Sequence, residues 1–172
     1  MAEALATIRR VEGMGMITLR GALEQIGPVV SDVTGIALPE CRKITGAGDR
    51  QLGWMSPDEL LCVMPVADLP AILAALQDGL TDRHALVLDM SDARVIYDII
   101  GAHAEDVLAK LSPADLGAVG SDDLRRSRAA QTAAAFWRIE SGFRVIGFRS
   151  TADYLGALLH NAAMPGSQLA PR

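Results

Sequence analysis

Residues 52–76, LGWMSPDELLCVMPVADLPAILAAL, and residues 135–159, AFWRIESGFRVIGFRSTADYLGALL, spell one unit twice. In each, a short run carrying a Trp passes through a tight turn into an apolar run, and apolar residues at helical spacing follow. Trp54 corresponds to Trp137, and Ile72 to Leu155. A shorter pair precedes them: MITLRGALEQIGPVV and RVIYDIIGAHAEDVLAKL each run an apolar strand into Gly and then a helix. The chain therefore reads as two β-α-β-β-α halves, residues 1–80 and 81–172. Each strand and helix buries one apolar side, so the strands need a common sheet and the helices must cover a face of it. The expected class is α+β, with duplicated ferredoxin-like modules, mixed sheets and helices packed on them. The two halves are expected to form one compact unit with a pseudo-twofold relation.

A chain of 172 residues is long enough to bury a core without staples. Its net charge of -5 argues against nucleic acid, whose partners need a basic face. No apolar run approaches the roughly twenty residues that cross a bilayer, so no membrane association is expected. Half of the residues are apolar, yet aromatics make up only 4%. Either some apolar surface faces a partner subunit, or abundant alanine inflates the average.

Along the chain, residues 1–13 are either a frayed segment or an arm. A strand over Met14–Gly21 leads into a helix with Leu23, Ile26, Val29 and Val30 on one face, kinked or broken at Gly27-Pro28. Residues 34–51 form a connection whose GAG at 46–48 lacks the third Gly of a dinucleotide loop and reads as a flexible turn. Ser56-Pro57-Asp58-Glu59 makes the first hairpin turn. Asp68 is placed to cap the next helix, with Pro70 in its first turn and Leu69, Ile72, Leu73 and Leu76 as its buried stripe. Residues 85–100 read as strand, break and strand, and a helix covers about 102–110. GSDDLRRSR at 120–128 reads as an exposed connector. Ser141-Gly142 is the second tight turn. Tyr154, Leu155, Leu158 and Leu159 face inward on the last helix, and the tail after Asn161 loses periodicity and is expected to be mobile.

The chemistry-bearing residues are scattered. Cys62 lies in an apolar strand and reads as a small buried hydrophobe, whereas Cys41 reads as an ordinary thiol; together they fit a reducing cytoplasm. His84, His103 and His160 occur at element ends, without a nucleophile or metal-ligand spacing beside them. Asp89 and Asp92 flank Ser91 between two strands and suit a turn. Asp153 falls in the first turn of a helix, where the dipole favours it. No catalytic, cofactor-binding or metal residue is assigned.

Three segments carry a resemblance: LGWMSPDELLCV, VLDMSDARVIYDIIGAHAEDVLAKLSPADL and FRSTADYLGALL. With their W-x-x-P-D-E and G-x-x-A-x-x-V-L-x-K patterns they resemble the gamma subunit of heterotetrameric sarcosine oxidase, over residues 14–160. That family is itself similar to the folate-binding portion of the glycine-cleavage aminomethyltransferase. The resemblance implies an accessory, non-catalytic subunit in a cytoplasmic complex that oxidatively demethylates sarcosine to glycine with oxygen and tetrahydrofolate. Its partners would be the alpha, beta and delta subunits, and FAD, FMN, NAD, zinc and tetrahydrofolate would belong to them. Isolated, the chain is expected to be capable of homo-oligomerisation. The alternative is a free-standing folate-binding or one-carbon-transfer protein. Asp153 stands where the aminomethyltransferase fold has an Asp that contacts the pterin. FRSTAD replaces the Asn-rich, Lys-containing context of that motif, and Leu111-Ser112-Pro113 replaces the Gly-Cys-Pro common in the gamma family.

Overall fold

A computed structural model describes residues 3–169. Ten strands and four helices run in the order β1 Thr7–Val11, β2 Met14–Gly21, α1 Leu23–Thr34, β3 Ile44–Ala47, β4 Arg50–Ser56, β5 Glu59–Pro65, α2 Leu69–Gly79, β6 Ala85–Asp89, β7 Arg94–Ile100, α3 Ala104–Ala109, β8 Leu124–Ala129, β9 Thr132–Ile139, β10 Gly142–Phe148 and α4 Ala152–Ala162. They form two units, each with its own five-stranded sheet. Gly13–Asp92 carries the order β3-β4-β5-β2-β6; Met1–Glu12 with Ala93–Arg172 carries β1-β7-β10-β9-β8.

The class is α+β as the repeat requires, and within it every strand pairing is antiparallel. No parallel pair arises because the strands joined through helices are never sheet neighbours: β3 lies three places from β2, and β6 two places from β5. The unit boundary falls at Asp92/Ala93 instead of 80/81. The cause is an exchange of lead strands. β6 precedes β7 in the chain but pairs with β2, while β1 precedes β2 but pairs with β7.

Each sheet buries one face under its helices. In the Gly13–Asp92 unit, Ile17, Leu19, Leu52, Leu60, Cys62 and Met64 pack with Ile26 and Val30 of α1 and Leu69, Ile72 and Leu76 of α2. In the other, Tyr97, Ile99, Phe136, Phe143 and Val145 pack with Val107 and Leu108 of α3 and Leu155 and Leu159 of α4. Glycines Gly21 and Gly101 hinge the equivalent strands β2 and β7 toward their helices at φ 157° and 139°, backbone that L side chains rarely adopt.

Several local expectations change. Of the kink or break expected at Gly27-Pro28, the break does not occur: α1 runs on through Pro28; the ring removes one helical hydrogen bond, but an unbroken helix keeps Ile26 and Val30 both fully buried. Asp68 stands at the start of α2 without capping it, because its carboxylate instead accepts from Arg50 Nε at 3.0 Å and from its terminal nitrogen at 2.8 Å. Within the GAG segment, Gly46 and Ala47 belong to β3 and Gly48 turns at φ 59°. Residues 7–11 and 124–129 are edge strands, not an arm and a connector. The second hairpin turns at Glu140-Ser141, with Gly142 already in β10. Tyr154 is exposed, and the inward stripe of α4 is Ala152, Leu155, Gly156 and Leu159. The tail is pinned as far as Ser167: Lys110 Nζ donates to Ala162 O at 2.6 Å and to Ser167 Oγ at 2.8 Å. Its residues 170–172 lie outside the described residues, as do residues 1–2 of the amino-terminal segment.

The two tryptophans part company. A bulge between Trp54 and Ser56 shifts the β4–β5 register, so Trp54 lies opposite Leu60, on the helix-covered face. Trp137 lies opposite Arg144, on the other face of its sheet, and is fully buried. One inserted residue moves a side chain across the sheet.

Candidate functional site

The most strongly built polar feature crosses the five strands of the second unit on the face away from its helices. Cross-strand pairing aligns Arg9 of β1, Asp98 of β7, Arg144 of β10, Trp137 of β9 and Leu124 of β8 in one row. Directly opposed residues share a face, so the register itself brings the charges together. Arg144 donates from Nε to Asp98 Oδ1 at 2.8 Å and from a terminal nitrogen to Oδ2 at 3.0 Å, a bidentate grip. Arg9 donates to Oδ2 at 2.9 Å. Asp98 is fully buried. Burial pushes its carboxyl up, but the hydrogen bonds and charges of Arg144 and Arg9 outweigh that and hold it below the usual carboxylate range. With both oxygens saturated, Asp98 organises two guanidiniums and has no proton to give near neutral pH.

A second hub is Arg138. Its Nε donates to Val119 O at 2.7 Å, and a terminal nitrogen donates to Glu105 Oε2 at 2.7 Å and Leu116 O at 3.1 Å. The guanidinium lies 4.6 Å from the Phe143 ring centroid. It ties β9 to α3 and to the loop before β8. Glu105 and Arg138 line a cleft of about 530 Å³ with Gly101, Glu140 and Ser141. Ser112, Asp115, Leu116 and Leu169 line another of about 640 Å³. In the first unit Arg20, Asp58, His84 and Leu86 border one of about 520 Å³.

The sequence candidates are dispersed among these features. His84 is exposed beside the third cleft. His103 Nδ1 pairs with Asp106 at 3.0 Å, and His160 Nδ1 donates to Gly156 O at 2.8 Å. Cys62 is buried, which pushes its thiol up to about 12, with the charge of Arg50 opposing; Cys41 is exposed. Asp89 Oδ1 accepts from Ser91 N at 2.9 Å and Ser91 Oγ at 2.6 Å, while Met16 N donates to that same hydroxyl at 3.0 Å. The Asp89-Ser91 pair thus closes the end of the β2–β6 ladder, a turn role as its spacing suggests. Arg125 donates to Asp123 at 3.0 Å. Asp153 is exposed on α4 and borders none of these three clefts. Among the described residues, no group of three or more His, Cys, Asp or Glu side chains is placed to hold a metal. Nor is any helix there long and apolar enough to cross a membrane. Asp98 and its arginines escaped the sequence reading because they lie 89 and 46 residues apart. Their only local signal was a charge inside the apolar run RVIYDII.

Comparison with known proteins places this geometry. The model of the sarcosine oxidase gamma subunit family matches residues 22–164. The chain belongs to that family. It is 33% identical over 118 residues to the sarcosine oxidase subunit gamma of Corynebacterium sp. (strain U-96), a match covering 66% of this chain and 56% of that protein. The chain thus matches little more than half the length of this curated relative. Among solved structures, it is similar to a chain of the heterotetrameric sarcosine oxidase from Corynebacterium sp. U-96 in complex with pyrrole 2-carboxylate. The TM-score is 0.86 at 26% identity, covering 97% of this chain and 88% of that one. The glycine cleavage system aminomethyltransferase T from Bartonella henselae shares the fold, with a TM-score of 0.68 at 17% identity over 92% of this chain and 46% of its own. The aminomethyltransferase-like expectation for the fold therefore holds.

Proposed function

We propose that the chain is an accessory, non-catalytic gamma subunit of a heterotetrameric sarcosine oxidase, a complex that oxidatively demethylates sarcosine to glycine with oxygen and tetrahydrofolate. The observation that carries this reading is the family match over residues 22–164, together with near-complete superposition on a chain of such an oxidase. The interior supports it: the buried Asp98 is consumed in holding Arg9 and Arg144, and Arg138 in tying loops. Its partners are the alpha, beta and delta subunits, which carry FAD, FMN, NAD, zinc and tetrahydrofolate, and the complex is cytoplasmic. The free-standing folate-binding alternative leans on Asp153, whose exposed setting offers it no support.

Co-expression with the other three subunits, followed by affinity capture of this chain, tests the proposal. The expected result is a stoichiometric complex that oxidises sarcosine, while the isolated chain is colourless and inactive. A chain that captures none of the three subunits overturns it. Tight tetrahydrofolate binding to the isolated chain, abolished by Asp153→Ala, would instead support the alternative.

A further inference from the structure

Each sheet ends in two edge strands, and an edge presents unpaired backbone groups that soluble proteins guard with charge, brevity or a cover. Three of the four are guarded. β1 carries Arg9 and Arg10, β8 carries Arg125, Arg126 and Arg128, and β3 is only four residues long. β6, Ala85-Leu86-Val87-Leu88-Asp89, has no charge before its last residue. Ala85 and Val87 pack toward the helix-covered core. Leu86 and Leu88 point to the other face and remain 45% and 44% exposed.

The outer backbone of β6 is open as well. Met90 N donates to Met16 O at 2.7 Å, which makes Met16 and Met90 a hydrogen-bonded pair. Bonded and non-bonded pairs alternate along an antiparallel ladder. Leu88 and Leu86, opposite Thr18 and Arg20, therefore bond inward to β2. The N–H and C=O of Ala85 and Val87 point away from it. Among the described residues no strand pairs with that side; the Val87 carbonyl has a 3.5 Å contact from Gln77 Nε2, at the limit of a hydrogen bond.

We propose that β6 is a docking edge that takes up an extended segment of another subunit of the oxidase as a sixth strand. This rests on the reading of the chain as a subunit. An open row of alternating donors and acceptors selects extended backbone, and Leu86 and Leu88 select apolar side chains at alternate positions of the incoming strand. A different subunit is the occupant because the similar solved chain comes from a heterotetrameric assembly.

The test uses the chain co-expressed with the other sarcosine oxidase subunits. The variants are wild type, Leu86→Lys/Leu88→Lys, and Val66→Lys as a control at another exposed apolar residue, 50% accessible in a turn. The double variant is expected to weaken capture of the partner subunits about 10-fold or more, with the thermal midpoint of the isolated chain nearly unchanged and Val66→Lys capturing like wild type. Hydrogen exchange on the wild type, which needs no variant to fold, is expected to show amides Ala85 and Val87 gaining protection on assembly. Wild-type capture by the double variant, or unchanged exchange at both amides in an intact complex, overturns the docking edge while leaving the subunit reading standing. Loss of self-association in the double variant with unaltered capture of the other subunits also overturns it, since the edge would then serve a second copy. Failure of the wild type to capture any subunit defeats the subunit reading itself.

Discussion

Counted back from the equivalent glycines Gly21 and Gly101, Thr18 of β2 occupies the place of Asp98 of β7. The strand rows through these two residues are Leu88-Thr18-Leu61-Gly53-Ile44 in the first unit and Arg9-Asp98-Arg144-Trp137-Leu124 in the second. The same scaffold position thus holds an uncharged row with an exposed leucine at its edge, or a charge ladder with an arginine there. The helix-covered faces differ in a related way. Tyr97 and Gly156 pack as a large and a small residue, where the first unit places Ile17 and Leu73. Duplication fixes the backbone plan, and divergence then decides which edge is shielded and which stays open.

The comparison breaks most visibly at Asp98. Replacing it with Ala leaves the partly buried Arg144 without its counter-charge, and urea unfolding is expected to show a loss of about 3 kcal/mol. Because the folded carboxyl lies below the unfolded value of about 3.9, its stabilisation is complete above pH about 4 and is lost as pH falls through the folded value. Asp98→Asn is therefore expected to flatten the acid limb of the stability profile, whereas Thr18→Val leaves that limb as in wild type. A smaller effect belongs to Gly156→Ala. Its new Cβ would lie 2.6 Å from the Tyr97 hydroxyl, and overpacking of this kind costs about 1–3 kcal/mol; Tyr97→Phe in the same chain should recover part of that loss. Tyr97→Phe alone removes the 3.0 Å bond to Ala152 O and is expected to cost about 1 kcal/mol. Smallest is Arg10→Met in the second unit. Arg10 and Glu12 are both exposed and 3.0 Å apart, so thermal unfolding should register a loss below about 1 kcal/mol.

Most of this plan is legible in the sequence because local periodicity survives duplication. The Trp-containing hairpins, the apolar stripe of α2 and the strand-break-strand of 85–100 all stand where the residues put them. What is missed has a common cause. β1, β3 and β8 are short or charged edge strands whose pairing, not their own pattern, makes them strands. Trp54 looks equivalent to Trp137 until one bulge turns it to the other face. Tyr154 reads as an inward residue by spacing, yet the close approach of Tyr97 to Gly156 sets the buried line of α4 one residue away.

By itself, then, the sequence determined the module, its repetition, the α+β class and the family resemblance, since each rests on side chains a few residues apart. Tertiary structure alone decided that β1 and β6 trade sheets, that Asp98 is clasped by arginines from two other strands, and that β6 is the unguarded edge. Strand partners and the direction of their free backbone groups depend on contacts tens of residues apart, and local pattern carries no record of them.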